Sequence, residues 1–459
     1  MKALTDPSRA LSAGLAAIRN EFHVPPGFPQ EVLAAAETAA KRVPDRHADR
    51  TAMPFVTLDP ATSTDLDQAF SIEKSGGDLL LHYAIADVAW FVEDGDAVDL
   101  EAWNRGETLY LPDGRAGLYP PVLAEGAASL LPDGPRPAVI FTVRVAGDGA
   151  VKLDGAERAM VRSRAKLAYD SVDVDELPGF TELARRMAAN EQQRGASRVD
   201  PPEQEVEGRG DGTFRLSFRP KLRSEEQNAA LSLAANMAIA DAMLAHRTGL
   251  FRVMSDPDAG KVVVLRNAAR ALGLDWPMAT GLRDYQKALD PADPRQAALM
   301  LAIRHASPGA SYQPYREGVV PWHEAMAATY AHATAPLRRL ADRYVVRCTL
   351  AIANGRPVPQ AVIDAFARLP KVMGRADGHA SQIDHAVIDL AEAVMLAGRE
   401  GETFAATVTD MTDRGVRVQL ADLPVVATVA ASGLARGADL RLKLVSADPN
   451  QRRIVFEPA

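Results

Sequence analysis

The sequence predicts an α+β multidomain chain. A short helical N-terminal segment (residues 1–46) precedes a large mixed domain (47–398) and a small β-barrel of the OB type (399–459). Residues 54–161 carry mostly short β-prone runs, residues 177–397 carry helical patterns, and short alternating runs return after residue 402. A chain of 459 residues is long enough for two or three domains with substantial cores.

The N-terminal segment has two helical stretches, residues 7–22 and 30–42, separated by Pro25, Pro26 and Gly27. This is too little chain for a barrel. It predicts a helix-turn-helix-like appendage or a lid over the next domain.

The β-rich part of the mixed domain has two strong strand candidates, residues 79–86 and 138–145. Residues 76–78, Gly-Gly-Asp, predict a hairpin turn before the first of them. Residues 99–106 between the two strands predict a helix.

The helical part opens on a capping-box pattern, Ser224 to Gln227, followed by an apolar run to His246 and by Gly249. Small and apolar residues cover every face of this helix, so we expect it to be buried.

The last part of the chain predicts a barrel. Strands are expected over residues 403–410, 415–420, 441–445 and 454–456, with residues 412–415 as the first turn. Short strands of this kind are typical of an OB-type fold.

Composition narrows the class of protein. Hydrophobic residues make up 47% and charged residues 24%, as in an ordinary globular chain. The single cysteine, Cys348, excludes a disulfide framework and a cysteine-based metal site. Residues 1–20 lack the pattern of a signal peptide, and no apolar run reaches spanning length, so we expect a cytoplasmic protein without a membrane.

Charge and motifs narrow it further. The formal net charge of −8 argues against a general nucleic-acid coat protein but permits an enzyme with a locally basic channel. The chain has neither a Walker loop nor a Gly-x-Gly-x-x-Gly motif after a strand, so we expect no nucleotide cofactor.

An acidic stretch is the strongest local signal. Asp59, Asp65 and Asp67 stand close together with no Lys or Arg between them. In an extended segment Asp65 and Asp67 point to the same face. Crowded carboxylates must take up a proton or a cation, and Mg²⁺ is the usual ion. The alternative is a polar loop between two strands, with turn-forming residues and no ion.

A basic stretch is the second signal. Thr334 is a predicted N-cap and Pro336 a first-turn residue, which places Arg338 and Arg339 near a helix N-terminus. Free N–H groups there favour anions, and an arginine fork matches phosphate oxygens. The alternative is a solvated basic helix face with Asp342 as a local partner.

Together these stretches resemble the catalytic domain of the RNase II (RNB) family of exoribonucleases. The motifs that carry the resemblance, in chain order, lie at residues 59–69, 82–89, 108–113, 166–169, 250–253 and 330–342. The resemblance covers residues 28–395, and the rest is similar to the family's C-terminal OB-type RNA-binding barrel.

The resemblance implies an RNB-type catalytic domain that hydrolyses single-stranded RNA from a free 3′ end and releases nucleoside 5′-monophosphates. The implied cofactor is Mg²⁺, which activates water and stabilises charge on the scissile phosphate. We expect a monomer.

The resemblance also implies residue roles. Asp59, Asp65 and Asp67 are implied metal ligands, and the chemistry is expected to depend most on Asp67. Arg338 is expected to clamp the phosphate that is cut, with Arg339 as a further RNA-binding residue. Two aromatic residues, Tyr110 and Tyr169, are implied to stack on or orient the terminal nucleotides.

The sequence also departs from the family. Gln68 stands where a fourth acid is usual; its amide oxygen is a possible ligand without charge, so a metal with one ligand fewer is expected. Val199 replaces an aromatic clamp, and Ala229 and Ala230 stand where acids are common. The two cold-shock barrels that usually precede the catalytic domain do not fit in the opening residues.

These departures motivate an alternative, a catalytically weakened relative that binds RNA or a protein partner. The three retained acids and Arg338 favour an active enzyme. A phosphohydrolase of small nucleotides is a third possibility, but such substrates need no barrel.

Overall fold

The computed structural model describes residues 10–459 apart from 197–202, 209–212, 220, 291–292, 307, 413–414, 432 and 435–436. Val199, the first residues of the predicted helix 7–22 and part of the predicted turn 412–415 lie outside this description. The helices are α1 (Ala10–Glu21), α2 (Gln30–Ala39), α3 (Val88–Phe91), α4 (Ala97–Arg105), α5 (Phe180–Arg194), α6 (Arg223–Ala245), α7 (Ala259–Ala271), α8 (Leu282–Lys287), α9 (Pro294–Ala306), α10 (Leu340–Ala353) and α11 (Gln360–Leu396).

The strands are β1 (Ala48–Asp49), β2 (Thr57–Asp59), β3 (Gln68–Ser75), β4 (Asp78–Ala86), β5 (Leu109–Leu111), β6 (Gly114–Ala116), β7 (Arg136–Val145), β8 (Val151–Val161), β9 (Lys166–Ala168), β10 (Glu203–Gly208), β11 (Phe214–Arg219), β12 (Leu250–Val253), β13 (Ser311–Pro314), β14 (Trp322–His323), β15 (Ala328–Thr329), β16 (Thr403–Thr412), β17 (Gly415–Leu420), β18 (Val426–Val429), β19 (Asp439–Asp448) and β20 (Arg453–Pro458).

The mixed domain is built on a five-stranded sheet of order β1-β8-β7-β4-β3, antiparallel except for the β1–β8 pair. The predicted strands 79–86 and 138–145 are confirmed as β4 and β7. Gly76 and Gly77 make the β3–β4 turn, where Gly76 has φ +62°, a conformation that favours glycine.

Helix α6 packs against β7 and β8, and its side chains Leu231, Ala235 and Ile239 are buried. The predicted burial of this helix is confirmed. The predicted capping box is shifted toward the N-terminus, with Leu222 as the N-cap. The Glu225 carboxylate accepts from the Leu222 backbone N–H at 2.7 Å, whereas the Ser224 hydroxyl donates to the Tyr169 carbonyl. Over the described residues, α6 is the one helix apolar and long enough to span a membrane, and 67% of its most apolar window is buried inside the protein.

The two predicted N-terminal helices are present as α1 and α2, and both cover the core rather than project from it. Leu11, Leu15 and Ile18 of α1 are fully buried in a cluster that includes Ile383 and Leu390 of α11. Helix α2 packs on α4. Helices α1 and α2 therefore pack into the same body as the sheet and α11.

The C-terminal strands form a nearly closed five-stranded barrel of order β18-β17-β16-β19-β20. The predicted barrel is confirmed, and the structure adds the short strand β18, which the sequence pattern did not reveal. Leu396, the last residue of α11, is buried in the barrel core. The fold class predicted from sequence, α+β with an OB-type barrel and a helical N-terminal segment, is confirmed.

Candidate active site

The three acids stand where short strands begin and end. Asp59 is the last residue of β2, which pairs in parallel with β9. Asp65 and Asp67 lie in the loop that leads into β3, and the Asp67 carbonyl accepts from the Ala86 N–H at 2.9 Å. These backbone contacts hold the acidic stretch at one end of the central sheet.

Asp67 is the most buried of the three acids, with a side chain that is 6% exposed. Its Oδ1 accepts from the Leu337 backbone N–H at 2.6 Å, and its Oδ2 lies 3.2 Å from Arg338 Nε. Burial raises the pKa of the Asp67 carboxyl to about 8, against the opposing effect of Arg338. The structure therefore brings together the acid and the arginine that the two sequence motifs suggested.

Asp59 is the unsatisfied acid. Its Oδ2 is buried and has no hydrogen-bond partner among the described residues. Burial raises the pKa of Asp59 to about 6; Arg338 lowers it and Asp65 raises it. A buried carboxylate oxygen without a donor is a fitting place for a cation.

Asp65 is held by an arginine that the sequence did not reveal. Its Oδ1 lies 2.5 Å from Arg115 Nη1, and its Oδ2 accepts from the Tyr110 hydroxyl at 3.3 Å. Arg115 Nη2 also lies 2.8 Å from Glu125 Oε1. Arg115 is on β6, 50 residues from Asp65, so no local spacing could have identified the pair.

Gln68 faces away from the acids. Its Oε1 accepts from the Tyr83 hydroxyl at 2.7 Å and from the Ser232 hydroxyl on α6 at 3.3 Å. Neighbouring residues of an extended chain point to opposite faces, so Gln68 turns toward α6 while Asp67 turns toward Arg338. As a metal ligand Gln68 would have to give up these bonds, since a carbonyl oxygen has two lone pairs. That role stays a prediction.

The basic motif begins its helix later than predicted. Helix α10 starts at Leu340 rather than after Thr334, and this helix prediction was wrong. The Arg338 carbonyl instead accepts from the Thr108 N–H, and the Leu340 N–H donates to Gly106, both at 2.9 Å. This pairing holds Arg339 in an extended conformation directly before the helix, and the residues from Ala335 to Arg339 form a turn in which the Arg339 N–H donates to the Ala335 carbonyl.

The two arginines have different surroundings. The Arg338 side chain is 47% exposed beside Asp67, whereas Arg339 forms a two-bond fork at 2.9 and 3.0 Å with the fully buried carboxylate of Asp342. The local partner considered for the basic stretch is thus present for Arg339. Arg338 has the freer guanidinium for an incoming phosphate.

Both predicted tyrosines line one cleft of about 1360 Å³. Tyr110 on β5 is 49% exposed, and the Tyr169 hydroxyl accepts from Asn228 at 2.9 Å. The cleft continues along the hairpin of β10 and β11 and along α11 to Arg417 on β17 of the barrel. A single open path thus connects the tyrosines beside the acids with the barrel.

The donor set suits Mg²⁺, which takes oxygen ligands and is usually held by one or two carboxylates with water and substrate phosphate. Asp59 offers an oxygen that has no partner in the described part of the chain, and Asp65 lies close enough to raise the pKa of Asp59. In the described part of the chain no group of three or more His, Cys, Asp or Glu side chains converges as metal ligands do. Asp65 and Asp67 are turned to Arg115 and Arg338 instead.

Mg²⁺ binding is expected to weaken as the pH falls. The pKa values of Asp59 (about 6) and Asp67 (about 8) are raised. Below these values Asp59 takes up a proton that competes with the ion, and protonated Asp67 no longer offsets the positive charge of Arg338 beside the site. Affinity should rise from about pH 5 to about pH 8 and then level off. Isothermal titration calorimetry across this range measures it, with Asp59→Asn expected to flatten the lower half. A constant affinity would contradict the prediction.

Comparison with known proteins agrees with this architecture. Residues 47–354 match the family model of the RNB domain, and residues 402–459 match that of the RNase II-type exonuclease C-terminal S1 domain. The chain belongs to the RNB family, whose members include exoribonucleases of the RNase R and RNase II type, and it carries a C-terminal S1 domain. The resemblance noted from the sequence motifs is confirmed.

Curated relatives are similar at low identity. Ribonuclease R of Aquifex aeolicus is 26% identical over 437 residues, covering 88% of this chain and 61% of that protein. Ribonuclease R of Escherichia coli is 25% identical over 449 residues, covering 89% of this chain and 54% of that protein. The chain thus spans between half and two thirds of the length of these relatives.

Solved structures share the fold. The apo form of Mycoplasma genitalium RNase R matches 100% of this chain and 79% of its own with a TM-score of 0.86 at 19% identity. The same protein in complex with ribose methylated single-stranded RNA gives a TM-score of 0.84, also at 19% identity and with the same coverage of both chains. Yeast Ssd1, described as a pseudonuclease, matches 96% of this chain and 57% of its own with a TM-score of 0.68 at 16% identity.

Proposed function

We propose that this chain is a Mg²⁺-dependent 3′-to-5′ exoribonuclease that hydrolyses single-stranded RNA with a free 3′ end to nucleoside 5′-monophosphates. The observation that carries the proposal is the contact of buried Asp67 with Arg338, beside the unsatisfied Asp59 and the cleft that leads to the barrel. Membership of the RNB family and relatives named ribonuclease R support it.

The surroundings of each residue indicate its role in the proposed reaction. Arg338 contacts Asp67 through Nε, and its half-exposed guanidinium can take up paired phosphate oxygens through its other nitrogens. Asp67 orients this guanidinium, because the backbone N–H of Leu337 holds the carboxylate in place. Bound Mg²⁺, held by the Asp59 carboxylate, would neutralise phosphate charge and lower the pKa of the attacking water.

The cleft fits a single strand rather than a small nucleotide. Tyr110 presents an exposed ring, and base–aromatic stacking tolerates any sequence. Arg417 and Gln419 on β17 line the far end of the same cleft. We propose that the barrel holds the part of the RNA that has not yet entered the cleft. We also propose that the protein uses no nucleotide cofactor.

The test is digestion of 5′-labelled single-stranded RNA with Mg²⁺, alongside a circular RNA of the same sequence. Stepwise shortening to a small labelled end product, release of mononucleotides and survival of the circle would support the proposal. EDTA should stop the reaction. Cutting of the circle would point to an endonuclease instead.

A catalytically weakened relative that binds RNA or a partner remains the second candidate. The hydrogen bonds of Gln68 to Tyr83 and Ser232 favour it, because they leave the acidic motif without a fourth ligand. Tight binding of the linear RNA without shortening, in Mg²⁺ and in Mn²⁺, would decide for this candidate.

Arg338→Lys is expected to lower kcat/KM about 10- to 100-fold with little change in the thermal midpoint, because lysine cannot form a paired contact with phosphate. Arg339→Lys should instead lower the midpoint, because it weakens the fork with buried Asp342. Initial rates over a range of RNA concentrations, with differential scanning fluorimetry, separate the two effects.

The control is Arg347→Lys. Arg347 lies on helix α10, which follows Arg338 and Arg339 in the chain, and it forms a two-bond fork with Asp94 outside the cleft. This substitution should leave the rates unchanged. Equal rate losses in the Arg338 and Arg347 variants would contradict the role given to Arg338.

We also propose that the protein acts as a monomer in the cytoplasm. Size-exclusion chromatography with light scattering tests the first point, and a mass of twice the chain would overturn it.

A further inference from the structure

Arg115 places a positive charge inside the acidic cluster. Its Nη1 lies 2.5 Å from Asp65 Oδ1, and its Nη2 lies 2.8 Å from Glu125 Oε1 and from the Thr64 hydroxyl. The side chain of Arg115 is 26% exposed and that of Asp65 is 11% exposed. The guanidinium is therefore built into the site and held by three partners.

Asp65 and Asp59 consequently differ in the hydrogen bonds that their carboxylates accept. Both oxygens of Asp65 already receive a donor, one from Arg115 and one from the Tyr110 hydroxyl. The Oδ2 atom of Asp59 receives none from the described residues. An ion at Asp59 meets a free carboxylate oxygen, whereas a second ion at Asp65 would meet a guanidinium in contact with its ligand.

The balance of charge points the same way. Asp65 and Glu125 share Arg115 and keep one negative charge, while Asp67 and Arg338 cancel each other. Asp59 adds a second negative charge, which the nearby Lys166 partly offsets. One divalent cation is therefore enough to neutralise this cluster, and another would leave it strongly positive in a partly buried site, which is unfavourable.

We propose that Arg115 takes the place of a second metal ion, so that the site holds one divalent cation and the chain itself supplies the other positive charge. This inference rests on the proposed function. In two-metal sites the paired ions clamp a phosphate from both sides. Here the guanidinium of Arg115, fixed at Asp65, would supply the positive charge on one side of the phosphate. Gln68 agrees with a single ion, because its side chain has no charge and faces α6.

The test counts ions without RNA. Mn²⁺ is titrated into the full chain, and free Mn²⁺ is measured by electron paramagnetic resonance. Wild type is expected to bind one Mn²⁺ per chain. Arg115→Met, which removes the charge but keeps a long side chain, should bind a second Mn²⁺ or bind the first about tenfold more tightly.

Two variants serve as controls. Arg115→Lys keeps the charge and should bind one Mn²⁺, as wild type does. Arg144→Met removes an arginine that likewise bridges two carboxylates, Asp78 and Asp154, away from the cleft. It should leave Mn²⁺ binding unchanged. Circular dichroism and the thermal midpoint verify that each variant is folded.

Two Mn²⁺ ions of similar affinity in wild type, no Mn²⁺ at all, or an Arg115→Met variant that binds as wild type does would each overturn the inference. The proposed function fails separately. If RNA is not shortened but wild type binds one ion and Arg115→Met binds more, Arg115 keeps this role in a protein that is not a nuclease.

Discussion

Asp67→Asn is expected to lower the rate of RNA hydrolysis about 10³-fold or more while leaving the protein folded. The amide oxygen of asparagine can still accept from the Leu337 N–H, but the side chain no longer carries a charge for Arg338 or for a cation. Single-turnover digestion of labelled RNA measures the rate, because it reports the chemical step without product release.

The Asp67→Asn substitution should leave the stability of the folded protein unchanged or raise it. Burial raises the pKa of Asp67 to about 8, so in the absence of a cation the ionised carboxylate is disfavoured in the folded state. Ionisation of Asp67 therefore lowers the stability of the folded state as the pH rises from the unfolded pKa near 4 to about 8. Asparagine does not ionise, so the metal-free variant should be at least as stable as wild type at about pH 8.

The matched control is Asp154→Asn, which neutralises an acid paired with Arg144 outside the cleft and should keep full activity. Retention of more than a tenth of the wild-type rate in Asp67→Asn would place the chemistry elsewhere.

The second large effect concerns folding. Asp99→Ala is expected to destabilise the protein by about 3–5 kcal/mol, because it leaves a buried guanidinium without its carboxylate. The Arg343 side chain is 1% exposed and pairs with Asp99 across helices α10 and α4. Among the described residues, Arg343 Nε and Nη1 have no hydrogen-bond partner, so the buried charge depends on the contact of Nη2 with Asp99.

The Arg343–Asp99 pair lies among polar groups that are buried from solvent. The Tyr344 hydroxyl accepts from Arg343 at 2.7 Å and from Trp103 Nε1 at 2.9 Å, and it donates to Asp99 at 3.2 Å. Asp99 also accepts from the Gly95 N–H at 2.7 Å. Loss of Asp99 therefore leaves several buried donors unpaired at once.

Urea denaturation followed by circular dichroism measures the loss. Asp99→Leu combined with Arg343→Met should recover most of it, because an apolar pair of similar size requires no buried charge. Arg347→Met, which breaks the partly exposed pair with Asp94, should cost less than about 1 kcal/mol. A cost for Asp99→Ala as small as that of Arg347→Met would contradict a buried, structure-determining pair.

Much of the architecture follows from local sequence. The alternation of residues 79–86 and 138–145 predicts β4 and β7 because strand periodicity requires nothing beyond the segment itself. The same holds for the apolar helix α6 and for the barrel strands β16 and β17. Helix starts are less certain: α10 begins at Leu340 because its preceding residues pair with residues 106–108, a contact between distant segments.

From the sequence, Asp59, Asp65 and Asp67 are predicted to share one site because they are close along the chain, and the family motifs add Arg338 to that prediction. The charged partner of each acid is seen in the folded chain alone. Residues far apart in sequence, such as Asp65 and Arg115, become partners through the packing of β5 and β6 against the acidic loop. Local patterns carry no record of that packing, so the arginine within the site became visible only in the folded chain.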